Sequence, residues 1–455
     1  MKAWKIKTIF SITLLFTLLL SACSNGGSNH NNTATSQPNK QTNQAVQSDQ
    51  PEQTDNQSVE QPADEIKPIT LKIYAGMPDS EFKTQITDPL SKKYPQITIE
   101  RLGADKKNTP LDQLIASGDT PDLLAVPKDE IKSNVIRLGL QTDLNELVQK
   151  YKVDLGRFDP VLLKSIQDLS GNGELYGLPE KKTLYGLVYN KDIFDKFGVP
   201  YPTDGMTWDQ VIELAKKVTR EDNGVQYRGL DFTNLNLMRG QLAQPLLDSN
   251  DKAVVTTPQW QTIARTIQSI VQIPGNTGET SGYDVFLKDR TTAMFASGLL
   301  GMINRAKEVP DLNWDIVTFP TFPDAPNTDP QADGVAFAIT STSKVKDEAF
   351  QVIQYLLSDE VQTSLVRNGF LSPLSNPEIQ AQLGADQTFF EGKNLQAAFK
   401  QKLSDLPPST YDYVASPIIN KAFDGIKKGE VDINTALSQA EDEINKAVET
   451  EKASK

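Results

Sequence analysis

The chain has 455 residues, with 46 Lys plus Arg, 59 Asp plus Glu, one His and one Cys, for a formal net charge of −13. The acidic balance argues against a nucleic-acid partner, whose phosphates it would repel. A single Cys excludes an internal disulfide and a cysteine-held metal cluster, and a single His excludes a histidine-rich metal site, so no cofactor or metal is expected. Glycoside hydrolysis survives these exclusions because it needs only two carboxylates.

Lys2, Lys5 and Lys7 precede every acid; 46 basic residues less these three leaves 43 against 59, a balance of −16 for the remainder. An apolar run from Ile9 to Leu20 follows. In a helix it would cover about 18 Å of a hydrocarbon layer about 30 Å thick, too little to span and right for an export signal behind a basic start. Leu20-Ser21-Ala22-Cys23 looks like a bacterial lipobox. That likeness implies diacylglyceryl attachment to the Cys23 thiol and cleavage before it, making 1–22 a lipoprotein signal peptide. Two or more acyl chains anchor stably where one binds marginally. Residues 24–66 are almost entirely Ser, Asn, Gln, Thr, Pro, Gly and acids, with the lone His30 among them. Such a segment cannot bury enough surface to order itself, so 23–66 reads as a lipidated Cys followed by a disordered tether spanning about 35–40 Å.

A folded body begins near Lys67. Residues 68–76 alternate apolar and polar and stop at Gly76, a strand. Phe82, Ile86 and Leu90 are spaced four apart, the face of an amphipathic helix over 80–93. Residues 97–100 read as a strand, 111–116 as a helix capped by Gly118, and 123–126 as a short buried strand. Strands alternating with helices imply an α/β fold with βαβ units. Ligands of open sheets sit beyond the carboxyl ends of strands, which singles out Tyr74, Gly76, Met77 and Asp79. Further along, Thr207-Trp208-Asp209-Gln210 satisfies a capping box and Thr257-Pro258 opens another helix, so Trp208 and Trp260 are expected to pack at helix starts. Trp314 is expected to support a strand. Asp168-Leu169-Ser170-Gly171-Asn172-Gly173 is similar to a calcium loop, but Pro179 stands where a bidentate Glu should be, so it reads as a turn.

Several segments in order resemble the family 1 extracellular solute-binding proteins of ABC importers. They are Leu114-Ile115-Ala116-Ser117-Gly118-Asp119-Thr120-Pro121-Asp122-Leu123, Leu175-Tyr176-Gly177-Leu178-Pro179, Leu187-Val188-Tyr189-Asn190-Lys191-Asp192-Ile193-Phe194, Thr207-Trp208-Asp209, the stretch from Phe286 to Ala293-Met294, and Ala338-Ile339-Thr340 with Leu357-Ser358-Asp359-Glu360-Val361-Gln362. The resemblance implies a two-lobed, type II-like periplasmic-binding-protein fold with hinge crossings and an interlobe cleft. It places the crossings near 180–186, 289–292 and 333–334. One lobe would then be 67–180 plus 290–333, the other 181–289 plus 334–455.

The function implied is capture of a solute by lobe closure, without chemistry on it, and delivery to the permease subunits of an ABC transporter. The protein would be a monomer, held by lipid on the outer face of the cell membrane, most simply in a Gram-positive cell. The solute implied is a carbohydrate, an oligosaccharide before a monosaccharide. Sugar binding asks for an aromatic plate against the ring and hydrogen-bonding groups for the hydroxyls. Tyr74, Tyr185 and the run Tyr411-Asp412-Tyr413 offer rings, Asp79, Glu180 and Asp231 acceptors, and Lys181 and Lys182 donors. Glu180 and Tyr185 rank first because they flank the first implied crossing. Sugar-binding members often carry a Trp shortly after the Ala-Met pair; here the run is Phe295-Ala296-Ser297-Gly298-Leu299-Leu300-Gly301-Met302. A sensor subunit presenting its ligand to a membrane kinase shares this pattern, and a cell-surface glycoside hydrolase or lyase is a further alternative, although no acid pair stands out.

Overall fold

The computed structural model describes residues 67–103, 109–277, 282–406 and 409–454. All lie in one structural unit, Pro62–Lys455. The signal segment, Cys23 and the tether lie outside the described residues. Among the described residues no helix is long and apolar enough to cross a membrane.

Twelve strands are described: β1 (Ile69–Ala75), β2 (Ile97–Leu102), β3 (Leu123–Pro127), β4 (Leu178–Lys182), β5 (Tyr185–Asn190), β6 (Arg220–Asp222), β7 (Val225–Phe232), β8 (Thr292–Gly298), β9 (Trp314–Val317), β10 (Thr328–Gln331), β11 (Gly334–Ile339) and β12 (Lys402–Ser404). They form two five-stranded sheets, β2-β1-β3-β11-β4 and β6-β7-β8-β5-β9, and a ribbon of β10 with β12. Each sheet is mixed. In the first, β1 runs parallel to β2 and β3 while β11 is antiparallel to β3 and β4. In the second, β7 is parallel to β8, and β5 is antiparallel to β8 and β9.

The alternation read in β1 places Leu71, Ile73 and Ala75 in the core. Phe82, Ile86 and Leu90 are buried beside them, on a helical run whose middle, Lys83–Thr87, is π-helical. Gly118 has φ +82°, the left-handed cap expected there. The helix Trp208–Val218 opens with the complete capping box, and in Pro258–Val271 the Thr257 side chain accepts from Trp260 N. Trp208, Trp260 and Trp314 are all buried. Residues 168–173 form turns and bends, as read from Pro179. The C-terminal helices Asp412–Lys428 and Ile433–Ala453 pack on Pro258–Val271 and complete the second lobe's core through Phe423, Ile444 and Val448. The two faces of β5 feed different interiors, Leu187 and Tyr189 the second lobe's and Val188 the first's.

The chain leaves the first sheet at Lys182 and enters the second at Tyr185, then returns between Gln331 and Gly334. The lobe division expected from the sequence is corrected in two places. The strands β8 and β9 lie in the second sheet, β8 between β7 and β5 and β9 paired with β5, so the strand path does not cross at 289–292, although Phe295, Leu299, Met302 and Trp314 turn their side chains into the first hydrophobic cluster. Every residue of β8 except the last is buried, because a strand in the middle of a covered sheet has no exposed face. Residues 334–339 are in turn a central strand of the first sheet, not the second. The third passage begins at β12, which pairs with β10 ahead of the helix Asp412–Lys428.

Two glycines fit this crossing region. A Cβ on Gly334 would lie 2.2 Å from Lys181 O, at the register shift where β11 meets β4. One on Gly240 would lie 2.7 Å from Gln331 N, so only a residue without a side chain lets the helix Leu235–Gln241 approach the β10 ribbon this closely.

Candidate functional site

Where the passages between the lobes meet, three adjoining cavities of about 600, 370 and 340 Å³ open. The largest is bounded by Lys128–Arg137 directly after β3, by Asn236 and Arg239 on the helix after β7, by Gln331 in the crossing, and by Leu406 and Ser409–Ser416. Both lobes therefore supply its walls. The second shares Asp129, Asn236 and Gln331 with it and adds Thr183, Tyr185, Tyr283 and Asp333. The third lies against Tyr74, Asp112, Glu130 and the shared Arg137.

The walls are held by specific bonds. Lys128 is buried, and its ammonium donates to Ala332 O, joining the end of β3 to the crossing. Arg239 donates through Nε to Gln244 O at 2.9 Å and pairs with Asp412 at 3.2 Å, while Ser409 Oγ donates to Asp412 Oδ1 at 2.8 Å. Asn234 caps Leu235–Gln241, which brings Asn236 and Arg239 to the cleft. Gln241, behind them, donates to Pro320 O at 2.8 Å and Thr328 O at 2.6 Å and accepts from Trp208 Nε1 at 3.1 Å, tying this helix to the β10 ribbon.

Ionisable groups crowd the crossings. Asp329 is 1% exposed, and its Oδ1 has no hydrogen-bond partner among the described residues. Burial pushes its carboxyl well above the usual range, with Lys182 pulling the other way. Asp333 is raised by burial and by the like charge of Asp129, opposed by Lys128 and by the Gly334 amide. Glu180 is raised by burial, opposed by Lys181 and reinforced by Glu81. Burial, with Asp333, Asp329 and Asp129 nearby, pushes the Tyr185 phenol well up, so it stays protonated and donates to Gln331 O at 3.1 Å.

The residues singled out from sequence fall into two groups. Tyr74, Tyr185 and Tyr413 line the cavities, Tyr413 being 53% exposed and donating to Glu451 Oε1 at 2.6 Å. Met77, Asp79, Glu180 and Asp231 line none of the three. Asp79 points to solvent and pairs with Arg101 at 2.6 Å, and the Arg101 guanidinium also binds Met77 O. Glu180 is enclosed beside Lys181, whose ammonium lies 3.7 Å from Glu81. Lys182 is likewise buried, 3.3 Å from Asp159. Asp231 accepts from Gly282 N at 2.7 Å and Phe232 N at 2.9 Å, bonds that fasten local backbone. Sequence reasoning missed Asp129, Asn236, Arg239, Gln331 and Asp333. The strand-end rule applied to β1 would have found Asp129 had it also been applied to β3. No group of three or more His, Cys, Asp or Glu side chains among the described residues could hold a metal ion.

The arrangement can enclose a polar solute: hydroxyl, amide, carboxylate and cationic groups converge with phenol rings in a partly enclosed space. Solved structures share the fold. An ABC substrate-binding protein of Listeria monocytogenes, in complex with cycloalternan, superposes with a TM-score of 0.67 at 20% identity, covering 83% of this chain and 98% of that one. A sugar transporter protein of Rhizobium etli, in an open conformation, gives 0.66 at 23% identity over 84% and 99%. Among sequence relatives, a binding protein of Brucella abortus is 24% identical over 240 residues, 49% of this chain and 56% of its own. The melibiose/raffinose/stachyose-binding protein MelE of Bacillus subtilis is 29% identical over 188 residues, 39% and 41% respectively. The chain thus spans about half the length of the relatives it matches. The model of the bacterial extracellular solute-binding protein family matches residues 77–363, more than half of the 455 residues. With two mixed α/β lobes, a cleft between them and this match, the chain belongs to the bacterial extracellular solute-binding protein family.

Proposed function

We propose that the protein captures a carbohydrate in the cleft between its lobes and hands it to the permease of an ABC importer. The observation that carries the reading is the cavity of about 600 Å³ walled by both lobes and by the passages between them. A ligand touching both walls is bound best when the lobes are closed, so it shifts the population toward closure without any bond being broken. Carbohydrate is supported by the phenols of Tyr185, Tyr283 and Tyr413 beside Asn, Asp and Thr side chains in the first two cavities. The sugars named for MelE and for the Listeria protein add to that support. A thermal-shift screen of the purified protein against sugars, peptides, polyamines and organic acids tests it. A ligand at 100 times its Kd adds about 2.7 kcal/mol of stability. Stabilisation by non-carbohydrates alone would sink the reading.

The same proposal anchors the protein by lipid on Cys23 at the outer face of the cell membrane, with 23–66 as a leash above it. Its support is the basic start, the short apolar run and the Leu20-Ser21-Ala22-Cys23 pattern. Cys23→Ala should move the protein from the membrane fraction to the medium or block its processing. Delivery is tested by deleting the partner permease genes, which should abolish uptake of the bound sugar.

A further inference from the structure

The crossing between Gln331 and Gly334 is held peptide by peptide. Gln331 O accepts from the Tyr185 hydroxyl at 3.1 Å, Ala332 O from the Lys128 ammonium, and Asp333 O from Thr183 N at 2.8 Å. Ala332 N donates to Ser404 O at 3.0 Å. The segment after β3, the first crossing, β5 and β12 thus all fix this stretch. On that fixed backbone the Asp333 side chain lines the cavity of about 370 Å³. Its Oδ1 accepts from Gly334 N at 2.8 Å, and no described residue donates to Oδ2. Lys128 is 1% exposed, and its ammonium is engaged by Ala332 O, the carbonyl just before Asp333. The charged and titratable groups facing Asp333 are Lys128 and Asp129 from the segment after β3 and the Tyr185 phenol from β5, which Asp329 also faces. Burial and Asp129 raise the Asp333 carboxyl, while Lys128 and the Gly334 amide oppose them.

We infer that Asp333 reads a hydroxyl of the sugar through Oδ2, and that Lys128 is a positioning residue, which holds the Ala332 peptide and places a positive charge beside that carboxylate. A carboxylate fixed through one oxygen offers the other as a preorganised acceptor. A solute with no hydroxyl at that point leaves it unpaired in a partly enclosed site, a heavier penalty than a lost neutral bond. Asp333 would therefore select among sugars, and Lys128 would act on the solute only through it. The inference rests on the carbohydrate reading and names the group that discriminates within it.

The test is calorimetry of the purified protein with neutral malto-, cello- and galacto-oligosaccharides between about pH 4 and pH 8. In the parent, affinity should be full above the raised Asp333 value and fall as pH drops through it, because the protonated carboxyl is the weaker acceptor. Asp333→Asn keeps the side chain's size and an acceptor for Gly334 N. It should lower affinity about ten- to hundredfold near neutral pH and flatten the profile. Lys128→Met removes the opposing charge, so the fall should begin at higher pH, and its loss of affinity should be least in acid, where Asp333 is protonated in both proteins. A loss equal at every pH would give Lys128 a structural role only and overturn its assignment. An Asp333→Asn protein with the parent's affinity or pH profile would overturn the role of Asp333 and leave the carbohydrate reading standing. That variant decides the matter even where Lys128→Met does not fold. Binding of none of these sugars would overturn both.

Discussion

The lobe interiors and the crossings between them are built on opposite principles. The second lobe's core encloses Trp208, Trp260, Phe194, Phe423 and a shell of aliphatic residues. Around the crossings, by contrast, Lys128, Glu180, Lys181, Lys182 and Asp329 are all buried. Apolar burial stabilises at about 25 cal/mol per Å², while enclosing a charge costs energy that its partners only partly return. A crossing stitched from ion pairs and backbone bonds can exchange partners as lobes rotate; a packed aromatic core cannot rearrange so cheaply. Apolar burial therefore stabilises the lobes, and the proposed closure would draw on the crossings, where the charges are.

Trp260→Ala attacks the interior. Trp260 is fully buried, meets Phe423 at 6.1 Å and donates to Pro245 O at 3.2 Å. The expected loss is about 3–5 kcal/mol in denaturant unfolding; a loss below about 1 kcal/mol would mean the second lobe is not held by this core. Gly334→Ala attacks the crossing, where a Cβ would meet Lys181 O at 2.2 Å. It should cost about 1–3 kcal/mol and weaken ligand binding as well. A stability loss with unchanged affinity would show that this junction does not govern closure.

Asp329→Asn separates the regions by pH. The Asp329 carboxyl is raised in the folded state, so the stability linked to its proton is present below the ordinary carboxylate range and is lost as pH rises through the raised value. The variant should match the parent in acid and melt at increasingly higher temperature than it as pH rises toward neutral and beyond. Equal melting temperatures throughout would show that Asp329 carries no buried charge. Tyr185→Phe removes the bond to Gln331 O and should cost about 1 kcal/mol, with the loss seen in equilibrium unfolding. Asp79→Ala, at an exposed pair, should change neither stability nor affinity measurably. A clear loss of binding there would restore Asp79 to the cleft.

These contrasts also explain what the sequence discloses. The period-two pattern of β1 and the caps at Thr207 and Thr257 are local signals, and local chemistry suffices to form them. The membership of 292–298 is not local. A continuous apolar run says that a strand is covered on both faces but not which sheet covers it, and the expected crossing there failed for that reason. Asn236, Arg239 and Gln331 are ordinary polar residues in sequence and become a site only when the two lobes and the passages between them bring them together. Glu180 shows the converse: proximity to a crossing suggested a ligand contact, but the side chain is enclosed beside Lys181.

Hydrogen–deuterium exchange of the protein with and without a carbohydrate found in the screen tests most directly whether solute is held between the lobes. Added ligand should slow exchange in 128–137, 235–241, 331–334 and 409–416, which come from both lobes and the passages joining them. Protection confined to one lobe, or to a surface away from these segments, would contradict capture in the cleft.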